Sequence, residues 1–402
     1  MIVRYDVKCL TCDTPYTLRM QMGHDQVQKH EIVCPNCHED FTVALDVDFE
    51  NISFAPRCVE NCEESETGGK IINIDPYSPV PAELRHQDQV FPWLSYAADD
   101  LGLREKFAKL PPVERSEGGA TFVDASALLG TQHRILDDWA VVKKGWSLAL
   151  RGNISLAEKQ FSAFKHLPPG DPPTLDHVVF AFCLHLISPG KYQLFSDAAS
   201  FYAKLRKTKQ PETETFRAFY SSTLRPSNLK AYLEVFSEYF RHFSDYSQTL
   251  LYTKNNTLVP EGSEVASTSF RKTKMFYGNA FETLTSGFTV LACLNNIKSG
   301  RPYDQFEKMD LAKYRTINKA NRANPFQGAP ELHAFAECVD STLRNASHHG
   351  AILYDPVSGK VRYKSGGTGA EHTITYAEYT SKCNEIMLSM AALVALEIFI
   401  EF

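Results

Sequence analysis

Two cysteine pairs near the N-terminus limit what this chain can fold into more than any other feature. Cys9-x2-Cys12 and Cys34-x2-Cys37 stand 21 residues apart. Each pair can wrap a tight turn around a metal, and four thiolates close a tetrahedral shell with no position left open for substrate. A structural Zn2+ on Cys9, Cys12, Cys34 and Cys37 is therefore expected. Short segments at 2–7, 14–20, 31–33 and 41–47 suit the strands of a small β zinc ribbon around it. Cys58-x3-Cys62 stays open between free thiols and a second metal site, which would need His24, His30, His38 or His86 as further ligands.

Beyond the ribbon the apolar period becomes helical. Over 228–252, Tyr232, Phe236, Tyr239, Phe243, Tyr246 and Leu250 recur at threes and fours. A second helix, which Ser267 could cap, carries Tyr277, Phe281, Leu284, Phe288 and Leu291 on the same pattern. Over 331–343, Leu332, Phe335, Val339 and Leu343 mark one face and His333, Glu337, Asp340 and Arg344 another, which predicts a single amphipathic helix with Gly350 placed to end it. A fourth helix is expected from about Tyr376, with an apolar run over 386–400 that Ser389 and Glu397 interrupt. That run is too short for a membrane span and reads as a core or dimer-interface helix. Four such helices make an up-and-down bundle. Between the third and fourth, 351–354 and 360–363 predict a β-hairpin, either a flap beside a site or a plain connector. The glycine-rich 365–369 lacks the Gly-Lys-Ser/Thr ending of a phosphate-binding loop.

The middle of the chain, 86–225, reads as helical. Within it, 139–169 is similar to a single tetratricopeptide hairpin, with Gly145, Ala157, Phe161 and Pro169 at compatible offsets. One copy cannot build a solenoid, so an ordinary helical domain is expected. The fold class is thus mainly α, in three consecutive segments: 1–85 zinc ribbon and β extension, 86–225 helical middle domain, 226–402 helical bundle.

The chemistry-bearing string is Arg344-Asn345-Ala346-Ser347-His348-His349. A bare Arg-x4-His match is expected by chance about 0.6 times in a chain of this composition, and Arg19 to His24 is such a match. Requiring Asn after the Arg lowers the expectation to about 0.02, and Arg344 alone meets it. A permanent cation, an amide and an imidazole that titrates near neutrality suffice for phosphodiester transesterification without metal. On a continuing helix His349 would lie roughly 140° from Arg344. Either the last turn unwinds, or the two residues act on a substrate shared with a second subunit.

With Arg-Asn-x3-His at the end of an amphipathic helix, residues 226–402 resemble the HEPN superfamily of helical-bundle ribonucleases and toxins. The resemblance implies Arg344 and His349 as the catalytic pair, Asn345 as the orienting residue, and a homodimer whose two motifs line one cleft. It also implies an endoribonuclease without catalytic metal, of the abortive-infection, antiviral-defence kind. Some toxin members carry a Tyr two residues after the His; here that position is Ala351, so regulation through such a Tyr is not expected. His348 competes for the base role. The alternative is a catalytically silent HEPN-like scaffold or RNA-binding module, with Arg344 paired to Glu337 or Asp340 on its own helix.

Charge is unevenly spread around a net of −6. Residues 1–80 hold 6 Lys and Arg against 14 Asp and Glu, which argues against a nonspecific phosphate grip there and favours a protein-binding, assembly or sensing role, such as receiving a protein trigger or regulator. Residues 267–364 hold 14 against 8. Lys298, Arg301, Lys308, Lys313, Arg315, Lys319 and Arg322 lie in the loop before the motif. Lys313, Arg315, Lys319 and Arg322, with His348, are the candidate RNA contacts, against the alternative of a solvated loop. With no apolar segment after Met1 and thiols suited to a reducing compartment, a cytoplasmic protein without membrane contact is expected.

Overall fold

The computed structural model describes residues 2–88, apart from 24, 50, 52 and 77, and residues 132–402, apart from 168–169, 264, 266–269, 349, 356–357 and 365–368. Its strands are β1 (Ile2–Cys9), β2 (Pro15–Gln21), β3 (Val27–Val33), β4 (Asp40–Asp48), β5 (Ser53–Glu60), β6 (Cys62–Glu64), β7 (Lys70–Ile74), β8 (Ile352–Asp355), β9 (Lys360–Lys364) and β10 (Glu371–Thr375). Helices of eight or more residues are α1 (Gln132–Leu150), α2 (Ile154–Phe161), α3 (Leu175–Ile187), α4 (Tyr192–Thr208), α5 (Gln210–Phe219), α6 (Arg225–Arg241), α7 (Phe243–Lys254), α8 (Phe276–Lys298), α9 (Ser341–His348) and α10 (Tyr376–Glu401). The chain is mainly helical, with a small β region at its N-terminus. It divides into two compact units, one of Met1–Leu129, His242–Lys274 and Gly350–Ser381, the other of Gly130–Arg241, Met275–His349 and Lys382–Phe402. Compactness thus groups the chain differently from three consecutive segments.

In the first unit β1 and β2 pair antiparallel, β6 joins the free edge of β1, and β7 lies parallel to β2. A second sheet runs β3-β4-β5. Alternation decides the faces: Val3, Tyr5, Val7 and Cys9 of β1 and Phe41, Val43, Leu45 and Val47 of β4 all turn inward, into one core shared by both sheets. The expected hairpin forms as β8 and β9, and β10 adds a third strand that the sequence reading lacked.

The second unit is helical. α1 and α2 follow one another over the stretch similar to a tetratricopeptide hairpin, and Gly145 is required there because a Cβ would clash with the Phe161 ring. Pro169, the expected end of that hairpin, lies outside the described residues, as does Ser267, the expected cap. α8 buries all five residues of its anticipated stripe. The continuous helix expected over 228–252 is instead split at His242, whose backbone leaves the helical region (φ −116°, ψ 28°). Phe243, Tyr246 and Leu250 stay buried in α7, which belongs to the first unit and is covered on nearly every face, its polar Asp245, Gln248 and Lys254 included.

α10 starts at Tyr376 as expected but runs for 26 residues. By length and composition it is the one helix among the described residues that could cross a membrane, which corrects the expectation that no run was long enough. In the structure 89% of its most apolar stretch is buried, the burial of a core helix. Glu397, the one acid of the apolar run over 386–400, accepts hydrogen bonds from Tyr232 (2.6 Å), Tyr220 (3.0 Å) and Asn228 (3.0 Å), so the polar group in that run is satisfied.

The single helix expected over 331–343 is broken. A turn at Pro330–His333 and a 3-10 turn at Ala334–Ala336 precede a fresh start at Ser341. The buried hydroxyl of Tyr277 donates to the Cys338 carbonyl and accepts from the Asp340 amide, each at 2.8 Å. Those two backbone groups would bond within a continuous helix. Asp340 then caps the new one, its Oδ1 accepting from the amides of Thr342 (2.9 Å) and Leu343 (3.0 Å).

Candidate functional site

Two polar centres stand out, one in each unit. The first is the cysteine set. The turns after β1 and before β4 are built alike: Cys9 N donates to Thr14 O and Asp13 N to Cys9 O, while Cys34 N donates to Glu39 O and His38 N to Cys34 O. Asp13 (φ 55°) and His38 (φ 65°) occupy the same left-handed position, one residue past each second cysteine. These equivalent knuckles bring the four Sγ atoms within 4.8 Å of one another, with Cys9 to Cys37 at 3.8 Å and Cys12 to Cys34 at 3.6 Å. A tetrahedron of thiolates about 2.3 Å from a zinc ion has edges of about 3.8 Å, so the set could hold a metal ion of that size. Hydrogen bonding with Asn36, then with Thr14, pulls the Cys12 thiol down to about 6, toward the thiolate that a metal needs.

No second set of ligands assembles among the described residues. Cys58 lies by the Tyr5 hydroxyl and Cys62 donates to the Thr42 carbonyl. His86 Nδ1 meets the Ile71 carbonyl at 2.6 Å, His30 is buried elsewhere, and His24 lies outside the described residues.

The second centre lies between α8 and α9. Neither Glu337 nor Asp340 takes the Arg344 guanidinium. It pairs with Glu282 of α8 instead, through Nε (2.7 Å to Oε1) and NH2, and its NH1 donates to Asn345 Oδ1 at 2.7 Å. Its face also covers the Phe281 ring at 5.8 Å. Three of the five guanidinium N–H groups are thereby committed, leaving two without a protein partner among the described residues. The side chain keeps 28% of its surface exposed, so those two are within reach of a ligand.

Lys319 reaches the same carboxylate at 3.9 Å, donates to the Glu282 carbonyl (3.3 Å) and bonds Ser286. Burial, then the nearby Arg322, pushes its pKa down to about 8. Of the other expected RNA contacts, Lys313 and Arg315 are exposed. Arg322 is buried instead, donating to the Arg315 carbonyl beside the Tyr314 ring. His348, one turn beyond Arg344, packs on α8 at Gly278, where a Cβ would come within 2.9 Å of its Nε2. That nitrogen is buried with no hydrogen-bond partner among the described residues. His349 lies outside the described residues.

Sequence reading missed Glu282 and Ser286, and read Tyr277 only as part of an apolar stripe. Glu282 did carry a signal: before Lys298 it is the only charged residue of the 23-residue α8. A lone acid inside an apolar helix needs a partner, and Arg344 supplies it. Compared with known family models, curated proteins and solved structures, the chain matches none.

Proposed function

We propose that this chain is a metal-independent endoribonuclease of HEPN type, acting as a toxin or in antiviral defence. The observation that carries the reading is the Arg344 guanidinium, held by Glu282 and Asn345 yet 28% exposed, with two N–H groups that have no protein partner among the described residues. An oriented guanidinium of this kind suits the charge that develops on a phosphorane. His349 moves the proton of the attacking 2′-hydroxyl, Arg344 stabilises the phosphorane, Asn345 orients the guanidinium, and Glu282 is a positioning residue. His348 is the weaker base, because its Nε2 is shut against Gly278. Lys313 and Arg315 hold the RNA backbone.

A structural Zn2+ on Cys9, Cys12, Cys34 and Cys37 belongs to the same reading. When bound it supplies tetrahedral cross-linking of the two knuckles and no reaction chemistry. The acidic N-terminal region would receive a protein trigger or regulator, and a homodimer would bring two motifs together. α10 offers no apolar excess for that dimer, since its side chains are consumed by the chain's own core.

The test is incubation of the purified protein with total RNA. Wild type should leave 2′,3′-cyclic phosphate and 5′-hydroxyl ends without added Mg2+ and spare DNA. Arg344→Ala and His349→Ala should each lose at least ~10²-fold in rate. Products with 5′-phosphate ends that require Mg2+ would reject the mechanism. The second reading, a silent scaffold, is favoured by the Glu282–Arg344–Lys319 network, which alone would justify the arginine. It gains if wild type cuts nothing while Arg344→Ala lowers the melting temperature.

A further inference from the structure

The first unit holds an open pocket of about 450 Å3 that the cysteine set and the Arg344 motif do not use. Its size falls within the range of small-molecule sites. Two buried polar groups line it without a hydrogen-bond partner among the described residues: His30 Nε2, on a residue 5% exposed, and Ser263 Oγ, on a residue 9% exposed. Buried polar atoms are nearly always paired, so two orphans in one cavity call for a ligand that bonds both. Burial pushes the His30 pKa down to about 4, so at neutral pH the ring is uncharged and offers one donor and one acceptor.

The cavity's aromatic wall is Phe270, Tyr354 and Tyr376, with ring centroids 5.0 Å (Tyr354 to Tyr376), 5.2 Å (Phe270 to Tyr354) and 5.9 Å (Phe270 to Tyr376) apart. An aliphatic chain would leave His30 and Ser263 unsatisfied. A flat heterocycle with polar edges can meet rings and polar groups together. Charge narrows the class further, because Glu31, Asp40 and Asp75 line the cavity against one cation, Arg85. That excess of carboxylate disfavours a phosphorylated ligand.

We propose that this cavity is a binding site for an uncharged nucleoside or free nucleobase, stacked by the aromatic wall and read along its edge by His30 and Ser263. The inference is independent of the ribonuclease reading, since its readout is a binding isotherm.

The experiment titrates adenosine, guanosine, cytidine and uridine, their free bases and their 5′-monophosphates into the full metal-loaded chain by calorimetry. At least one nucleoside or base should bind saturably, with its 5′-monophosphate about tenfold weaker or worse. Ser263→Ala should weaken that binding about tenfold, the loss of one useful hydrogen bond. His30→Phe should weaken it at least as much, with circular dichroism and metal content unchanged. Should His30→Phe fail to fold, Tyr354→Ala serves as the second variant, removing part of the stacking wall. No binding to natively folded protein up to millimolar ligand overturns the proposal. So does a monophosphate that binds as well as its nucleoside, or binding that Ser263→Ala leaves unchanged.

Discussion

The cysteine knuckles and the Arg344 helix are both short polar motifs, and they are built in opposite ways. Each knuckle closes on backbone bonds within five residues of itself, and the second repeats the first, down to the left-handed residue after its last cysteine. The Arg344 helix depends on partners about sixty residues away: Tyr277 breaks the chain before it, Glu282 takes its guanidinium, and Gly278 makes room for His348. A local motif carries its geometry with it; a constellation takes its geometry from a packed core. The energetics should divide the same way. The cysteine set lies in a small β core that a metal would staple, whereas the helices around the Arg344 site share a core lined by α10, buried over almost all of its second half.

The sharpest way to break this contrast is to remove one thiolate. Cys12→Ser should abolish metal binding and unfold the first ~50 residues, because structural zinc sites supply about 10–16 kcal/mol of folding free energy. Metal analysis and near-UV circular dichroism report the result. Next in size is a cut into the helical core. Leu393→Ala should cost about 2–5 kcal/mol, and Leu393→Glu should unfold the helical unit rather than split a dimer, since Leu393 is fully buried in a single chain. Denaturant titration separates the outcomes. Tyr277→Phe should cost about 1–3 kcal/mol by orphaning the Cys338 carbonyl and the Asp340 amide, and should lower RNA cleavage by loosening the start of α9.

A subtler effect concerns Glu397. Burial pushes its pKa up to about 7 in the folded chain, above the ordinary carboxyl value of 4.5. A raised folded pKa means that the native state holds its proton longer than the unfolded chain. The stability it contributes is present below pH 4.5 and is lost as pH rises through about 7. Glu397→Gln should flatten that slope in melting temperature between those limits. The smallest stability change belongs to Glu282→Gln, where a partly exposed ion pair is worth about 1 kcal/mol or less. Its cleavage rate should fall well beyond that, because Arg344 loses its anchor.

Legibility in the sequence followed the same division. The knuckles, the alternation of β1 and β4, the hairpin and the start of α10 were readable because each is decided by neighbours in sequence. The break before α9 was not: Leu332, Phe335 and Leu343 keep a helical period straight across it, and the cause is one hydroxyl on Tyr277, far away in the chain. The split at His242 left no trace either, since no Gly or Pro interrupts the stripe and the apolar phase resumes at Phe243. Glu282 was legible as an anomaly, a carboxylate with no local cation, but not as the partner of Arg344. Parallel pairing of β7 with β2 was equally hidden, because the partners Tyr16 and Lys70 lie 54 positions apart and the pattern of β7 fits either direction.

Hydrogen exchange on the full chain, with metal bound and after chelation under reducing conditions, tests the contrast most directly. Chelation should strip protection from amides of β1 to β4 while those of α6, α8 and the second half of α10 keep theirs. Equal loss in both regions, or no loss in the β region, would contradict it.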